Sequence, residues 1–426
     1  MELRSLNKLE YLLLRANKLT GEVPAYLGNH SSFWAITLGG NQLHGRIPNI
    51  FGGLKHLVFL DLAMNNLSGV IPMSIFNLSS LNTPSNKGFN LPSLKFFLIV
   101  GNQLTGKLPT SLINSTSLME FGIDANNFMG EVPAFGSQKN LYWLGLAQNH
   151  FGNGMLDDLN FMYSLQNCTR LEQVILENNN LGGVLPKYIG NMSNLLRFYI
   201  GGNLIHGNIP TEILQLDNLQ VLSLKKNNFT GMIPESSGQL RQLSRLHLHH
   251  NKFSREIPHS LGNLTSCKFL SRLYLDGNQL SGPIPKEMLE LSLIEFDLSN
   301  NHLTGHFPVE IGTGNLTGLR NLISMNLSYN NLSGEIPRSF DTLTSLMELT
   351  LNMIQALRFQ PMEMFIALET LTGRSPTDEI FKVGLNLHDF VKRVIPEQVK
   401  DVSDPKLIYD ERGGLISTKK QLSASP

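Results

Sequence analysis

Residues 57–78 read LVFLDLAMNNLSGVIPMSIFNL, which reduces to L-x-x-L-x-L-x-x-N-x-L-x-G-x-I-P-x-x-I-x-x-L. Leu60 and Leu62 alternate with Asp61, the period of a strand with one buried face. Asn65 follows three residues after Leu62. A buried amide is costly unless its donors and acceptor are paired, so Asn65 is expected to serve backbone groups of its own loop and of the next. Leu67 is expected to point inward, Gly69 to allow a tight approach, and Ile71-Pro72 to begin the return side. Proline has no N–H and suits a short edge segment better than a central strand. One such unit cannot bury its own apolar face; its neighbours must bury it.

The frame recurs along the chain, so the search for internal repeats settles the architecture. The Asn marker stands at Asn17, Asn41, Asn65, Asn102, Asn126, Asn149, Asn179, Asn203, Asn227, Asn251, Asn278, Asn301 and Asn330, mostly 23 or 24 residues apart. These amides are expected to stack as a ladder along an α/β repeat solenoid. The N-x-L-x-G-x-I-P variant is carried by NKLTGEVP (17–24), NQLHGRIP (41–48), NQLTGKLP (102–109), NNFTGMIP (227–234) and NNLSGEIP (330–337). On these segments the chain resembles leucine-rich-repeat proteins of the plant extracellular type. The resemblance implies a right-handed horseshoe with a parallel concave β-sheet, about 14 repeats over residues 1–352.

Composition narrows the functional classes. The chain has 426 residues, a formal net charge of zero and only 16% charged residues, which gives no support for nucleic-acid binding. Its two cysteines, Cys168 and Cys267, form no disulfide framework. The paired-cysteine caps usual in the resembled receptors are not visible. The array opens at Leu6, Leu9, Leu12 and Leu14 with no basic, apolar leader, so no signal peptide is expected. No apolar run reaches the ~18 residues that span a bilayer, and FFLIV (96–100) reads as a core strand.

The frame breaks at 79–91, where Ser, Pro, Asn and Gly suggest a surface loop, and again from Phe151 to Thr169. There Leu156, Leu159, Met162, Tyr163 and Leu165 suggest a short helix on the convex side. Arg255 replaces the glycine of the unit and is expected to distort that turn. Small insertions fall near 265–268 and 313–319. In the last repeat Ile354 stands where Asn belongs.

Beyond a junction at 353–360 the composition changes. LETLTGRSPTDEIF (368–381), GLNLHDFVK (384–392) and IPEQVKDVSDPKL (395–407) resemble the C-terminal lobe of plant receptor-like kinases, in the pattern-recognition immune-receptor branch. The resemblance covers about residues 361–411 and implies a short α-helical remnant. Asn386 is placed to cap LHDFVKR, with Asp389 at the capping-box position, and a disordered tail is expected over 412–426. A kinase needs a Gly-rich phosphate loop, a strand Lys, an H-R-D Asp with its Asn, and D-F-G for metal. None is present. Gly152-Asn153-Gly154 and Gly312-Thr313-Gly314 read as loop glycines. No catalytic residue and no cofactor are expected, and the chain as written is expected to be catalytically inactive.

In this architecture binding belongs on the concave sheet, a strip of roughly 60 Å at about 4.8 Å per strand. Positions flanking the strand leucines supply Tyr11, Trp34, Phe59, Phe96, Tyr142, Trp143, Tyr199, Tyr274 and Tyr329. Basic side chains gather in later repeats: Arg197, Lys225, Lys226, Arg245, His247, His249, His250 and Arg272. Exposed aromatics and arginines are hot-spot material. An extended peptide is expected along the strip, with an acidic group near Lys225, Lys226 and Arg245. His247 and His249 share a strand face, but no Cys, Asp or Glu completes a metal set. A pH-sensing role is open to them, because free His titrates near pH ~6.5.

Sequons at Asn29, Asn77, Asn114, Asn191, Asn228 and Asn263 suggest a secreted ancestry; Asn326 would sit on a strand and make a poor glycan site. By resemblance the chain is a peptide- or protein-recognition module from a plant immune receptor-like kinase. It would sense a peptide or microbial pattern and pair with a co-receptor kinase. No nucleic-acid or metal partner is expected, and the parent receptor would lie at the plasma membrane. The alternatives are a fragment of an active membrane serine/threonine kinase and an inhibitor of a secreted enzyme.

Overall fold

The computed structural model describes residues 3–76, 93–266, 270–308, 319–335, 340, 343–352, 354 and 356–358, together with the two short strands Ile408–Tyr409 and Leu415–Ile416. Fourteen short strands, from Tyr11–Leu13 to Glu348–Thr350, pair in chain order into one sheet. The pairing is parallel and keeps every repeat in step: Phe59, Leu60 and Asp61 lie beside Phe96, Phe97 and Leu98. The middle residue of each strand enters the core. Leu60, Phe97, Phe121, Leu144 and Phe198 are completely buried there, while the residues on either side of them face the concavity. FFLIV is therefore only half a core strand: Phe97 and Ile99 are buried, and Phe96, Leu98 and Val100 are half-exposed.

Past each Asn the chain forms a second parallel ladder. Six strands run from Thr20–Glu22 to His150–Phe151, and seven from His206–Gly207 to Ala356–Arg358. The proline of the unit then starts a 3-10 turn on the convex side. Pro48, Pro109, Pro210 and Pro285 take φ between −67° and −60° at the N-caps of such turns, the angle that the pyrrolidine ring fixes.

The Asn amides join neighbouring turns, but they reach back and not forward. Asn65 Nδ2 donates to Leu62 O of its own loop at 3.1 Å and to Leu38 O of the preceding turn at 3.0 Å. Its Oδ1 accepts Leu43 N of that same preceding turn at 3.0 Å. The pattern repeats at Asn126, Asn203 and Asn301. Asn17 bonds only within its own loop, to Leu14 O and Arg15 O.

Two expectations about irregular positions are corrected. Arg255 does not distort its turn. It adopts φ +73°, matching Gly231 at +76° and Gly282 at +75° in the same frame position, because the ladders on both sides hold it in register. The insertion after Phe151 carries a helix of only four residues, Met162–Leu165. Leu159 and Met162 are buried, but Leu156 is 74% exposed and takes no part in the helix. The segment before the helix is set by Asp158, whose carboxylate gathers backbone N–H groups instead of continuing a helical ladder.

At the C-terminal end Ile354 packs partly buried against the core where the amide would stand. The proposed loop at 79–91, the 265–268 and 313–319 insertions except their ends, the helical remnant and capping site within 361–411, and the 412–426 tail lie outside the described residues, save the backbone of Ile408–Tyr409 and Leu415–Ile416. Among the described residues no helix is long and apolar enough to cross a membrane.

Candidate functional site

The register turns the concave face into columns. One column runs Tyr11, Ala35, Phe59, Phe96, Glu120, Trp143 along the N-terminal half and Gln173, Arg197, Val221, Arg245, Arg272, Glu295 along the rest. The strip is thus aromatic at one end and charged at the other.

In the aromatic half Tyr11 is 51% and Trp34 42% exposed, with ring centroids 5.4 Å apart. Phe59 and Phe96 form a second pair at 5.1 Å. Trp143 lies half-buried across Gly122 and Gly145, whose missing side chains leave room for its ring. Tyr142 donates its hydroxyl to the Glu120 carboxylate. Burial raises Glu120 above the usual carboxylate range and pushes Asp124 up to about 6.

A cleft of about 430 Å³ opens between the strands 173–175 and 245–247. Val221 forms its buried floor, Arg197 and Arg245 stand on strands to either side of Val221, and Gln173, Gln220, Ser244 and Tyr199 supply hydrogen-bonding groups. Glu177 closes one wall. Among the described residues neither Arg197 nor Arg245 has a carboxylate within ion-pair distance.

The other basic positions are placed differently from expectation. Lys225 Nζ is 3.4 Å from Glu177 Oε1 and so is already neutralised. Lys226 sits exposed in the following turn at φ +51°. Arg272 Nε donates to Glu295 Oε1 at 3.1 Å, and Tyr274 donates to the other Glu295 oxygen. Of the three cations expected beside an acidic group, Lys225 is paired and Lys226 lies in the turn, while Arg245 lines the cleft together with Arg197. Glu177 was the residue that sequence reading missed. Its signal was an opposite charge at the frame position of Lys225, two repeats earlier, with Gly201 between.

His247 and His249 are not poised to titrate near neutral pH. Burial, then the charges of Lys225, Arg245 and Arg272, push His247 down to about 4. Burial, then His247 and His250, push His249 down to about 3. Tyr274 packs on both rings, with centroids at 4.9 and 5.6 Å. His247 Nε2 and His249 Nδ1 are buried without a hydrogen-bond partner. Among the described residues no group of three His, Cys, Asp or Glu side chains could hold a metal ion. Two residues past the strand Arg272–Tyr274, burial and then the Asp297 charge raise Asp276 to about 7.

Of the sequons, Asn29 and Asn191 are exposed and Asn228 is half-exposed on the second ladder. Asn191 Nδ2 also donates to Gln166 Oε1 at 2.5 Å. Asn77 and the side chains of Asn114 and Asn263 lie outside the described residues. Asn326 is held on the concave sheet, donating to Asp297 Oδ2 at 3.1 Å.

Comparison with known proteins places this geometry. The leucine-rich repeat region family matches residues 155–295, and the single leucine rich repeat matches 56–78, 292–313 and 321–343. The LRR receptor-like serine/threonine-protein kinase EFR of Arabidopsis thaliana is 43% identical over 58 residues, 14% of this chain and 6% of that protein. The receptor kinase-like protein Xa21 of Oryza sativa subsp. japonica is 42% identical over 64 residues, 15% of this chain and 6% of that protein. Among solved structures, the plant peptide hormone receptor RGFR1 in complex with RGF2 superposes with a TM-score of 0.69 at 28% identity, covering 84% of this chain and 59% of that one. The Arabidopsis receptor kinase HAESA, in complex with the peptide hormone IDA and the co-receptor SERK1, gives 0.66 at 33% identity with the same coverage, 84% and 59%. A leucine-rich-repeat protein of Leptospira interrogans gives 0.65 at 28% identity, covering 87% and 84%. The chain therefore spans about three-fifths of the plant receptor chains, and its matches only a small part of the two kinases. The chain carries leucine-rich repeats, and its array is similar to the ectodomains of plant receptor-like kinases.

Proposed function

We propose that the concave face recognises an extended peptide and that Arg197 and Arg245 hold an acidic group of that peptide over Val221. The carrying observation is the cleft itself: two arginines flank a small apolar floor, and among the described residues neither is paired with a carboxylate. Guanidinium groups bind carboxylate bidentately and strongly where water is partly excluded. Burial first, and then the charges of Lys225, Arg245 and Arg272, keep the neighbouring His247 ring neutral. The receptors RGFR1 and HAESA, which share the fold, are described with bound peptide hormones.

In this reading the repeats are the sensing part of a plant membrane receptor in defence signalling, with a co-receptor kinase as a further partner. The chain as written transfers no phosphate, and residues 361–411 are a remnant of a kinase lobe. Phage-displayed random dodecapeptides, selected on the immobilised 426-residue protein, test the cleft. Selected peptides carry an acidic residue, and binding falls at least tenfold in the R197A/R245A variant. Loss of two charge-assisted contacts is worth that much or more. Equal binding to both proteins overturns the assignment.

A further inference from the structure

We infer that Glu177 decides where on a ligand acidity is accepted: it admits an acidic group beside Arg197 and Arg245 and refuses one beside Lys225. The inference rests on the peptide-recognition reading above. Three cations surround this part of the concavity, yet they are not equivalent. Lys225 Nζ lies 3.4 Å from Glu177 Oε1, and Ser223 Oγ donates to that same oxygen at 2.8 Å. The pair is half-sheltered, with Lys225 31% and Glu177 18% exposed. It closes across Gly201. A Cβ built there would meet Lys225 Cγ at 2.7 Å and Glu177 Oε1 at 3.1 Å, so only glycine leaves this passage open.

The consequence is a cleft with Arg197 and Arg245 beside its floor and Glu177 at its edge, with Lys225 paired to Glu177. A second carboxylate approaching Lys225 also meets Glu177, and the repulsion cancels the attraction. An N–H donor approaching the same edge meets an acceptor, since Glu177 also lines the cleft and has a second carboxylate oxygen. Discrimination between related ligands commonly uses such a repulsive element beside the attractive one. The ligand class that fits is a peptide with its acidic group over Val221 and a neutral or cationic segment beside it.

The test extends the display selection to E177Q. Gln keeps an acceptor for Ser223 and nearly the same shape but releases Lys225. Peptides selected on E177Q are expected to carry a second acidic residue that peptides selected on the unaltered protein lack. A synthetic peptide pair differing only in that residue is then titrated by calorimetry. Adding the second Asp is expected to improve affinity about tenfold for E177Q and not for the unaltered protein. G201A, which displaces Lys225 by contact instead of by charge, serves as a second variant, with circular dichroism to report folding. If both proteins select the same acidic pattern and that pattern depends on Arg197 and Arg245, the role of Glu177 is overturned and the cleft assignment stands. If no acidic residue is selected, or selection survives R197A/R245A, the cleft assignment falls and the role of Glu177 with it.

Discussion

Asp158 Oδ2 accepts the backbone N–H of Gly182 at 2.9 Å, from the following repeat 24 residues along the chain. The same oxygen accepts Gly154 N at 2.9 Å, Met155 N at 3.0 Å and Asn153 N at 3.1 Å. One carboxylate thus both closes the loop of the insertion and fastens it to the array. Without it Asn153 N and Gly182 N lose their acceptor, while Gly154 N keeps Asn180 O at 2.9 Å and Met155 N keeps Asn153 Oδ1 at 3.2 Å; each bond to a charged acceptor is worth about 1.5–3 kcal/mol. D158A is expected to loosen this segment by about 2–4 kcal/mol, less than the bond sum because water reaches part of the loop. Amide exchange at 153–155 and Gly182 reads it out. Unchanged protection there would show that the insertion is held by Leu159 and Met162 alone.

The Asn ladder makes a graded prediction. Asn203 Nδ2 donates to Leu176 O and Ile200 O at 3.0 Å each, and its Oδ1 accepts Leu181 N at 3.1 Å. N203A leaves the buried Leu181 N–H without its acceptor and takes one of two amide donors from Leu176 O and Ile200 O, which keep Asn179 and Asn227; it is expected to cost about 1–3 kcal/mol. Asn17 is exposed and bonds only within its own loop, so N17A stays within about 0.5 kcal/mol. Urea denaturation of the two variants compares them. Equal losses would mean that the ladder acts within each loop and does not couple turns.

Arg255 supplies a prediction of opposite sign. It holds φ +73° where neighbouring repeats place glycine. An L-residue there costs roughly 1–2 kcal/mol, partly offset by the greater freedom that glycine has when unfolded. Glycine also accommodates the preceding turn: Asn208 lies against Gly231 and Glu256 against Gly282, whereas Met232, in that frame position before Arg255, stays exposed. R255G is expected to raise stability by about 1 kcal/mol, and R255A to leave it unimproved. A thermal shift in R255A equal to that in R255G would point to side-chain bulk and not to backbone strain.

The repeat frame was legible because covalent spacing alone decides which residue turns inward at Leu60, Leu62 and Leu67. The pairing of the cations was less so. Lys225 and Arg245 look alike in sequence, and what separates them is a partner two turns away. Glu177 and Lys225 share a frame position, so their pairing could be read only by stacking the repeats and noticing that Gly201 leaves the space between. Leu156 misled for a related reason. Its helical spacing to Leu159 was real, but Asp158 spends the intervening turn on backbone donors, and the helix starts four residues later than Asp158, at Met162.

Protonation makes the last prediction, and the two sets of groups act in opposite directions. Asp276 is raised to about 7 from an ordinary 3.8 by burial and by Asp297. Its folded pKa lies above its unfolded one, so its contribution is greatest below pH 3.8 and is lost as pH rises through 7. His247 and His249 fall from 6.5 to about 4 and about 3. Their folded pKa lies below the unfolded one, so their contribution is complete above pH 6.5 and is lost as pH falls toward 4. D276N is therefore expected to melt a few degrees above the unaltered protein at pH 8, with the gap closing by pH 4. H249N is expected to show the reverse, no gap at pH 8 and a gain that grows below pH 6.5. Melting curves at four pH values between 4 and 8 separate the two. A D276N gap of the same size at pH 4 and pH 8 would mean that the substitution acts through packing against His250, 3.8 Å away, and not through the proton that burial holds on Asp276.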